Sequence, residues 1–513
     1  MKNRNYLIFL LLTVMITSCK KDKINDYQPN EIITIKGIEE RYTKMSLADR
    51  ITLDPEVSST DPKAEFEYMW GIYETNVQGY APKLDTIART KAIDYLIKQD
   101  AKGWVLVFRA TNKNTGFSKY VTSDINVTTL FTRGWYVMKD NGNETDLDLF
   151  MTPASIVPEA KREDVFSLVN GRKLPGKAML MNYYTNYKSN VGGVFVNTKS
   201  LFLITDKDAS VVNINTLKEI NGFNQMFYQA PGIKAPGFVS DGSQANYFMN
   251  NGQLYGFYTM SVNTGQFGQR KLIDESNSPY HLSRYFLTAH SYDPIFFDEV
   301  SSSFFSADGS GDALNALVED EETEMKATHN NKKLLFMGAK SLYPDYHGYA
   351  VLQDKTDASL KILTRIKPDP YSFKLVNDTL KTTDKIYHAS RYALIDTDEN
   401  VIYFVTGNQV WSRNLSNKFE QLQYTIPAGE EITFMRHRRN PPFGSLSEQE
   451  KPYEYNLIMI GTKTGGNYTV RMFKKTSGNL LPEPLITLKG KGSVGDVMYM
   501  APSMGTDTYP NTY

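Results

Sequence analysis

Hairpin-forming segments recur along the last three quarters, approximately, of this 513-residue sequence. In each of them, apolar and polar residues largely alternate on both sides of a turn, which is typical of paired β-strands. The segments are Ser200–Ile214, Ala245–Ser261, Pro294–Ala307 (the poorest match), His347–Ile366, Arg391–Leu415 and Tyr455–Thr476. Long helical periodicity is absent from the sequence, so the pattern predicts an all-β chain.

The spacing of these segments predicts the architecture. They start at residues 200, 245, 294, 347, 391 and 455, which lie 45, 49, 53, 44 and 64 residues apart. A repeat of roughly 40–50 residues is typical of the four-stranded blades of a β-propeller. Residues 133–513 are therefore predicted to form a β-propeller of about seven or eight blades, with Val494–Met500 as a candidate closing strand. Two further β-sandwiches are the alternative.

Residues 31–132 have a different strand pattern. Glu65–Trp70 largely alternates, which places Trp70 on the apolar face of a strand. Trp104–Ala110 and Phe117–Val127 predict two more strands, joined by a polar turn. About 100 residues of strands around a buried Trp are typical of an immunoglobulin-like sandwich. Thr86–Gln99 fits a helix or an alternating strand equally well.

The N-terminus carries an export signal. A basic start is followed by the apolar run Tyr6–Ile16, which is too short to span a bilayer because spanning needs about 20 apolar residues. Ile16-Thr17-Ser18-Cys19 resembles the bacterial lipobox. We therefore expect residues 1–18 to be a signal peptide, Cys19 to receive acyl chains (palmitate among them), and residues 19–30 to be a tether. Because acyl chains anchor stably, we expect the protein to touch the membrane through its lipid anchor only. Lys20–Asn30 resembles the charged surface-export signals of Bacteroidota lipoproteins, and this resemblance implies an outer-membrane lipoprotein that faces the cell exterior.

The charge balance argues against nucleic acid as a partner. Lys and Arg total 57, and Asp and Glu also total 57. Removing residues 1–18 takes away Lys2 and Arg4, which leaves 55 basic and 57 acidic residues, a net charge of −2. Nucleic-acid binding needs a basic surface. With so even a balance, ligand binding is expected to depend on aromatic stacking and to be nearly insensitive to salt.

The sequence contains no recognisable catalytic motif. The serine-hydrolase elbow, the His-Glu-x-x-His zinc motif and Gly-rich phosphate loops are missing, and Cys19 is the only cysteine. The six histidines show no ligand spacing. We therefore expect neither an enzyme nor a cofactor, although a pair of carboxylates brought together by folding stays open.

One acidic segment is similar to a calcium-binding loop. Asp308–Asp312 places oxygen ligands at alternate positions, and Glu319 stands at the twelfth position counted from Asp308. Ala313 occupies the place of the central glycine. A solvated loop without metal is therefore predicted.

Two groups of side chains are candidates for ligand binding. Arg436–Phe443 is predicted to be a basic, proline-ended loop. It would bind an acidic partner or a peptide carboxylate through its Arg side chains. The alternative is a solvated connection between strands without a binding role. Aromatic clusters would stack on sugar or peptide, unless they form sheet cores. The candidate residues are Tyr183, Tyr184, Tyr187, Tyr280, Tyr285, Arg436, Arg438 and Arg439.

Three segments resemble the PKD-like lipoproteins of Bacteroidota: Tyr68-Met69-Trp70, Asn112–Gly116, and Gly134–Met138 ahead of an Asn-Gly pair. Such proteins are commonly encoded beside SusC/SusD-type uptake systems. The resemblance implies an accessory surface lipoprotein that binds or presents an oligopeptide or glycan for a SusC/SusD-type transporter pair, with other surface lipoproteins as further partners. The alternatives are a propeller hydrolase acting on polysaccharide or peptide, and a purely structural subunit of the transporter complex.

Two tripeptides, Asp85-Thr86-Ile87 and Asp378-Thr379-Leu380, resemble the acceptor pattern of protein O-glycosylation in Bacteroidota. Thr86 and Thr379 are therefore candidate glycosylation sites. The pattern is short and occurs by chance in many sequences, so export to the cell surface is what gives it weight.

Overall fold

A computed structural model shows an all-β chain that divides into two compact units, Met1–Thr128 and Thr129–Tyr513. The structure describes residues 31–501 except 47–48, 76–80, 132, 153–159, 192, 243, 260–263, 290–291, 342–344, 396–398, 442–444, 447 and 449. Cys19, the predicted signal peptide and the predicted tether lie outside the described residues. Within them, no helix is long and apolar enough to cross a membrane.

Unit 1 contains nine described strands. They are β1 (Ile33–Lys36), β2 (Arg41–Met45), β3 (Arg50–Leu53), β4 (Glu56–Ser59), β5 (Phe66–Glu74), β6 (Asp85–Ala88), β7 (Ile93–Leu96), β8 (Gly103–Asn112) and β9 (Ser118–Thr128). The largest sheet has the order β2-β9-β8-β5-β6, in which β2 and β9 run parallel and the other pairs antiparallel. Two small antiparallel sheets pair β1 with β4 and β3 with β7.

Trp70 lies at the centre of the core of unit 1. Its side chain is fully buried, and its ring packs 4.5 Å from that of Phe108, the residue opposite it on β8. The indole Nε1–H points at the backbone carbonyls of Thr90 and Lys91, each 3.1 Å away. Because a buried Trp needs a partner for this group, these carbonyls fix the ring orientation. The predicted burial of Trp70 is confirmed.

The ambiguous segment Thr86–Gln99 contains strands rather than a helix. β6 covers its beginning and pairs with β5, and β7 pairs with β3. Ile93 and Ile97 are buried, which follows the burial of one face of an extended chain. Pairing with strands that are distant in sequence decided between the two local alternatives.

Unit 2 contains thirty described strands. They are β10 (Gly134–Asp140), β11 (Glu144–Met151), β12 (Ala160–Arg162), β13 (Leu174–Pro175), β14 (Ala178–Val191), β15 (Val194–Thr205), β16 (Ala209–Asn213), β17 (Glu219–Gly222), β18 (Pro236–Asp241), β19 (Ala245–Asn250), β20 (Gln253–Tyr258), β21 (Leu282–Ala289), β22 (Tyr292–Asp298), β23 (Ser303–Ala307), β24 (Leu314–Ala316), β25 (Lys332–Ser341), β26 (His347–Asp354), β27 (Lys361–Lys367), β28 (Lys374–Leu380), β29 (Arg391–Leu394), β30 (Val401–Thr406), β31 (Gln409–Asn414), β32 (Glu420–Thr425), β33 (Glu431–Asn440), β34 (Tyr455–Thr464), β35 (Asn467–Phe473), β36 (Lys475–Thr476), β37 (Asn479–Leu480), β38 (Ile486–Lys491) and β39 (Ser493–Met500). The short helix α1 (Val165–Asn170) and three 3-10 turns, Phe223–Met226, Ile386–His388 and Lys451–Tyr453, complete the described elements.

Most strands of unit 2 form antiparallel sheets from consecutive segments of the chain. The sheets of three or more strands in the described part are β39-β10-β11-β12 with β13 on β11, β14-β15-β16-β17, β18-β19-β20, β21-β22-β23-β24, β25-β26-β27-β28, β29-β30-β31-β32 and β33-β34-β35-β38. Only the first departs from sequence order, because β10, the first strand of the unit, pairs with β39, the last. Gly134 stands opposite Met500 in this pairing, and Asp140 stands opposite Ser493.

Neighbouring sheets touch through their first strands. β14 contacts β39 and β18, β21 contacts β18 and β25, and β29 contacts β25 and β33. β33 in turn contacts β39. Apolar side chains fill the space between successive sheets, as where Leu203 and Met181 share a core cluster with Trp135 and Tyr468. This burial between sheets is the main stabilising contribution available to an all-β unit of this kind.

Candidate functional site

A cavity of about 570 Å³ lies in unit 2 where strands β14, β21, β29, β33 and β39 begin. Its volume falls within the range of roughly 300–1,000 Å³ that is typical of small-molecule sites. Backbone and side chains of all five strands line it, together with the hairpin residues Asp140 and Asp206. The cavity therefore draws its lining from segments that lie far apart in sequence.

Charged side chains dominate the lining. The basic ones are Lys177, Arg284, Arg391, Arg436 and Lys463, and the acidic ones are Asp140, Asp206 and Glu431. Three aromatic residues, Tyr285, Tyr392 and Phe434, lie among them. Such a lining favours a polar or charged ligand over an apolar one.

Two of the acidic side chains are held by the backbone. Asp140 accepts the N–H of Gly142 at 2.8 Å and that of Ala178 at 3.1 Å. Asp206 accepts the N–H of Lys177 at 2.7 Å. Burial raises the pKa of Asp140 above its usual value, against the backbone N–H groups and the positive charges of Lys463 and Lys177. These carboxylates hold the start of β14 in place.

Arg391 has other charged and aromatic side chains around it but is accessible to solvent. Its side chain is exposed in the cavity wall. Surrounding protein atoms lower the pKa of its guanidinium, and the nearby charge of Arg284 lowers it further, whereas Tyr285 and Glu431 act in the opposite sense. A guanidinium stays charged in proteins at every working pH, so this site concentrates positive charge.

Arg436 and Arg438 belong to an ionic network rather than to a loop. Both lie on β33, and both pair with the fully buried Asp496 of β39, at 3.0 and 3.1 Å. Asp496 also accepts the backbone N–H groups of Met181 and Val497, each at 2.8 Å. A buried carboxylate needs such partners, and here they tie β33, β39 and β14 together.

The predicted basic loop at Arg436–Phe443 is therefore wrong for the part that the structure describes. Residues 436–440 continue β33, and Arg436 is only 3% exposed. Arg439, half-buried, lies on the same strand. A loop would leave these charges in water, whereas pairing with Asp496 allows two of them inside a sheet. Phe443 lies outside the described residues.

Four of the five candidate tyrosines are core residues and offer no surface to a ligand. Tyr183, Tyr184 and Tyr187 are each 1% exposed, and Tyr280 is 3% exposed. Tyr187 donates its hydroxyl to the carbonyl of Gly265 at 2.7 Å, and burial raises its pKa to about 12. The alternative, that these rings form sheet cores, describes their positions.

Tyr285 alone of these tyrosines lines the cavity. It is half-buried, and its ring lies 5.7 Å from that of Phe336 in an edge-on arrangement. The guanidinium of Arg284 sits 5.2 Å from the centre of the same ring. The side chain therefore joins the charged lining to the core beneath it.

A lysine fills the acidic loop at Asp308. The Nζ of Lys271, a buried side chain, donates to the carbonyls of Asp308 and Gly311 at 2.6 and 2.5 Å. Glu319, the expected twelfth ligand, accepts the N–H of Ala327 instead. The described residues contain no group of three or more His, Cys, Asp or Glu side chains placed to hold a metal ion. An ammonium already occupies the position where a cation would bind these carbonyls.

The candidate glycosylation sites lie on strands. Thr86 is exposed on β6, and Thr379 is exposed on β28. The carboxylate of Asp378, next to Thr379, pairs with Arg413 at 3.2 Å and with Lys418 at 2.6 Å. Attachment of a glycan to either hydroxyl group stays a prediction.

Sequence reasoning missed most of the charged residues of the cavity, including Lys177, Arg284, Arg391, Glu431 and Lys463. A weak sequence signal exists, because all of them except Lys463 stand within three residues of the start of the first strand of a sheet. Such positions become informative only when the first strands of different sheets are known to converge.

Comparison with known proteins adds one family. Residues 19–178 match the sequence model of the PKD-like family. The match covers all three segments on which the resemblance was based and extends past unit 1 into β14. It confirms the PKD-like resemblance for this part of the chain. No curated protein matches the sequence significantly.

Solved structures with a similar arrangement have low sequence identity. A quinonprotein alcohol dehydrogenase-like protein from Bacteroides thetaiotaomicron is 14% identical, with 90% of this chain and 96% of that chain covered and a TM-score of 0.41. The dihydro-heme d1 dehydrogenase NirN is 8% identical over 72% and 75%, with a TM-score of 0.37. The Dos1 propeller is 13% identical over 72% and 86%, with a TM-score of 0.31. Such values carry no argument about activity.

Proposed function

We propose that this chain is a non-catalytic, lipid-anchored surface protein that binds an oligopeptide or glycan in the cavity of unit 2. In this proposal it presents the ligand to a SusC/SusD-type TonB-dependent transporter pair. The observation that carries the proposal is the charged cavity formed where five strands begin. The lipobox at Ile16–Cys19 and the PKD-like match support the setting.

In the proposed architecture, unit 2 is a seven-bladed β-propeller and unit 1 is an immunoglobulin- or PKD-like sandwich. Support for the propeller comes from the consecutive antiparallel sheets, from the contacts between their first strands, and from the pairing of β10 with β39. Pairing of the first strand with the last is a means of closing a ring and removing exposed edges. The cavity would then lie at the mouth of the central channel.

Binding rather than catalysis is favoured by how the carboxylates of the cavity are used. Asp140 and Asp206 accept backbone N–H groups, which keeps them as structural acceptors. A hydrolase would instead need a carboxylate or another group with its reactive atom directed at the substrate. Glu431 is the remaining carboxylate of the lining.

Purification of the native protein in mild detergent, followed by mass spectrometry, tests the proposal. We expect a SusC/SusD-type transporter pair to co-purify, and the Cys19→Ala variant, which lacks the lipid, to lose this association. Purified protein should hydrolyse no polysaccharide or peptide. Steady turnover that Glu431→Gln abolishes would establish the hydrolase instead. Unchanged ligand capture by the transporter pair after deletion of this protein would favour the structural subunit.

A further inference from the structure

The cavity of unit 2 exposes basic side chains that have no direct partner in the protein. Lys177 and Arg391 are exposed, and Lys463 is half-buried. Among the described residues, none accepts a hydrogen bond or forms an ion pair with these three side chains. This distinguishes them from Arg436, which pairs with Asp496.

The acidic side chains of the same lining offset this excess only in part. Asp140 and Asp206 accept backbone N–H groups but keep their negative charge, and Asp140 interacts electrostatically with Lys463 and Lys177. Glu431, near Arg391, is the one lining carboxylate that the described residues leave without a hydrogen-bond donor. The lining contains five basic and three acidic side chains, so a positive excess of two remains. A chain with an even total charge thus carries a local positive excess, which the composition could not reveal.

The chemistry of the lining selects among ligands. A guanidinium binds a carboxylate through two parallel hydrogen bonds, which gives both strength and orientation. A neutral sugar would leave the cations unmatched. The ammonium group of a peptide would meet this positive excess, and Glu431 is the one lining carboxylate that the described residues leave without a hydrogen-bond donor. Tyr285 adds a half-buried aromatic surface of the kind on which a sugar ring stacks.

We propose that the cavity binds a carboxylate-bearing saccharide, with Arg391 gripping the carboxylate and Lys177 and Lys463 supplying the surrounding positive charge. This inference rests on the proposed function, in which the cavity is the ligand site, and it narrows the ligand from a peptide or glycan to an acidic saccharide. A fragment of one or two sugar residues suits a cavity of about 570 Å³.

Isothermal titration calorimetry of the purified full chain tests this inference. The probes are digalacturonate, the neutral disaccharide galactobiose of the same linkage, trialanine, and inorganic phosphate. We expect digalacturonate to bind and the other three to bind at least tenfold more weakly. Raising sodium chloride from about 50 mM to about 500 mM should weaken binding of digalacturonate several-fold, because salt screens exposed charges. This differs from the salt-insensitive binding expected from the even total charge, because the lining carries a local positive excess.

Variants assign the binding to the cavity. Arg391→Gln should weaken binding roughly tenfold to a hundredfold, as expected for a hydrogen bond to a charged group. Lys177→Gln should weaken it about twofold to fivefold, as expected for a solvent-exposed ion pair. The controls are Arg162→Gln on β12 and Lys381→Gln after β28, two exposed basic residues outside the lining, which should leave affinity unchanged. Circular dichroism and the melting temperature verify that each variant is folded.

Each other outcome is decisive. Binding of galactobiose or trialanine that Arg391→Gln does not alter would overturn the inference but leave the proposed binding function intact. Equal affinity for phosphate and digalacturonate would overturn the saccharide specificity and show that the cavity binds anions in general. No binding of any probe would overturn the acidic-saccharide inference, while co-purification with the transporter pair would still test the proposed function separately.

Discussion

Replacing Asp496 by Asn tests whether the ionic network beneath the cavity stabilises unit 2. The Asp496 carboxylate is fully buried and pairs with Arg436 and Arg438. It also accepts the N–H groups of Met181 and Val497. An Asn side chain of the same size keeps one oxygen but places an NH₂ donor among these donors. It also removes the negative charge opposite two guanidinium groups.

The expected loss follows from this environment. Breaking a buried ion pair by removing one partner costs about 3–5 kcal/mol, because the other charge stays inside without its counter-ion. Unit 2 has about 350 described residues, so its entropy of unfolding is about 0.7 kcal/mol per kelvin at an average of about 2.1 cal/mol/K per residue. A loss of that size lowers the melting temperature of unit 2 by about 4–7 °C.

Differential scanning calorimetry of the full chain measures this shift in the transition that belongs to unit 2. The matched control is Asp345→Asn, which removes the carboxylate of an exposed ion pair with Arg365, 2.9 Å apart. Exposed pairs contribute little, so this control should shift the melting temperature by at most about 1 °C. A shift below about 1 °C for Asp496→Asn as well would refute the reasoning, because burial would then make no difference to the value of the pair.

Three further predictions concern other parts of the chain. Cys19→Ala should abolish incorporation of radiolabelled palmitate; continued labelling would show that the lipid is attached elsewhere. Trp70→Ala removes a fully buried ring, so unit 1 should lose about 3–5 kcal/mol of stability. For its 91 described residues this corresponds to about 15–25 °C in melting temperature. Truncation of the exposed Tyr120 should have little effect. Lys332 and backbone N–H groups lower the pKa of Asp354 from 3.8 to about 2. Because the folded-state pKa lies below the unfolded-state value, Asp354 contributes stability above about pH 4 that is lost as the pH falls towards 2. Between these pH values the melting temperature should fall less steeply for Asp354→Asn than for the unchanged protein. An equally steep fall in both proteins would contradict the assignment.

The strand pattern was predictable because pairing in unit 2 is local. The predicted hairpins coincide with consecutive strands of one sheet, as in β15–β16, β19–β20 and β34–β35. The uneven spacing also has a structural reason. Second strands begin at residues 194, 245, 292, 347, 401 and 455, at nearly regular intervals, whereas the predicted segment starting at Arg391 begins on a first strand. One misplaced start produced both the short interval of 44 residues and the long one of 64.

Burial of polar groups was the feature that the sequence could not reveal. A run of three basic residues in four positions is typical of a solvated loop, and only Asp496, about sixty residues later in the sequence, makes a buried position acceptable for two of them. The tyrosine clusters failed as ligand candidates for the related reason that aromatic residues suit sheet cores and binding surfaces equally well. Their partners, such as Phe202 beside Tyr184, decide between the two.

Basic residues of unit 2 thus form two groups, those with a carboxylate at bonding distance and those without one among the described residues, and residue type does not separate these groups. Arg436 and Arg438 have a buried carboxylate within reach, so their charges serve the fold. Arg391 and Lys177 stand within the same lining, but the described residues give their side chains no counter-ion at bonding distance. Folding alone gives no reason to gather like charges, because their repulsion opposes it. A ligand with negative charge would remove this repulsion, and for that reason the unmatched cations, rather than the paired ones, are where we expect the chain to bind.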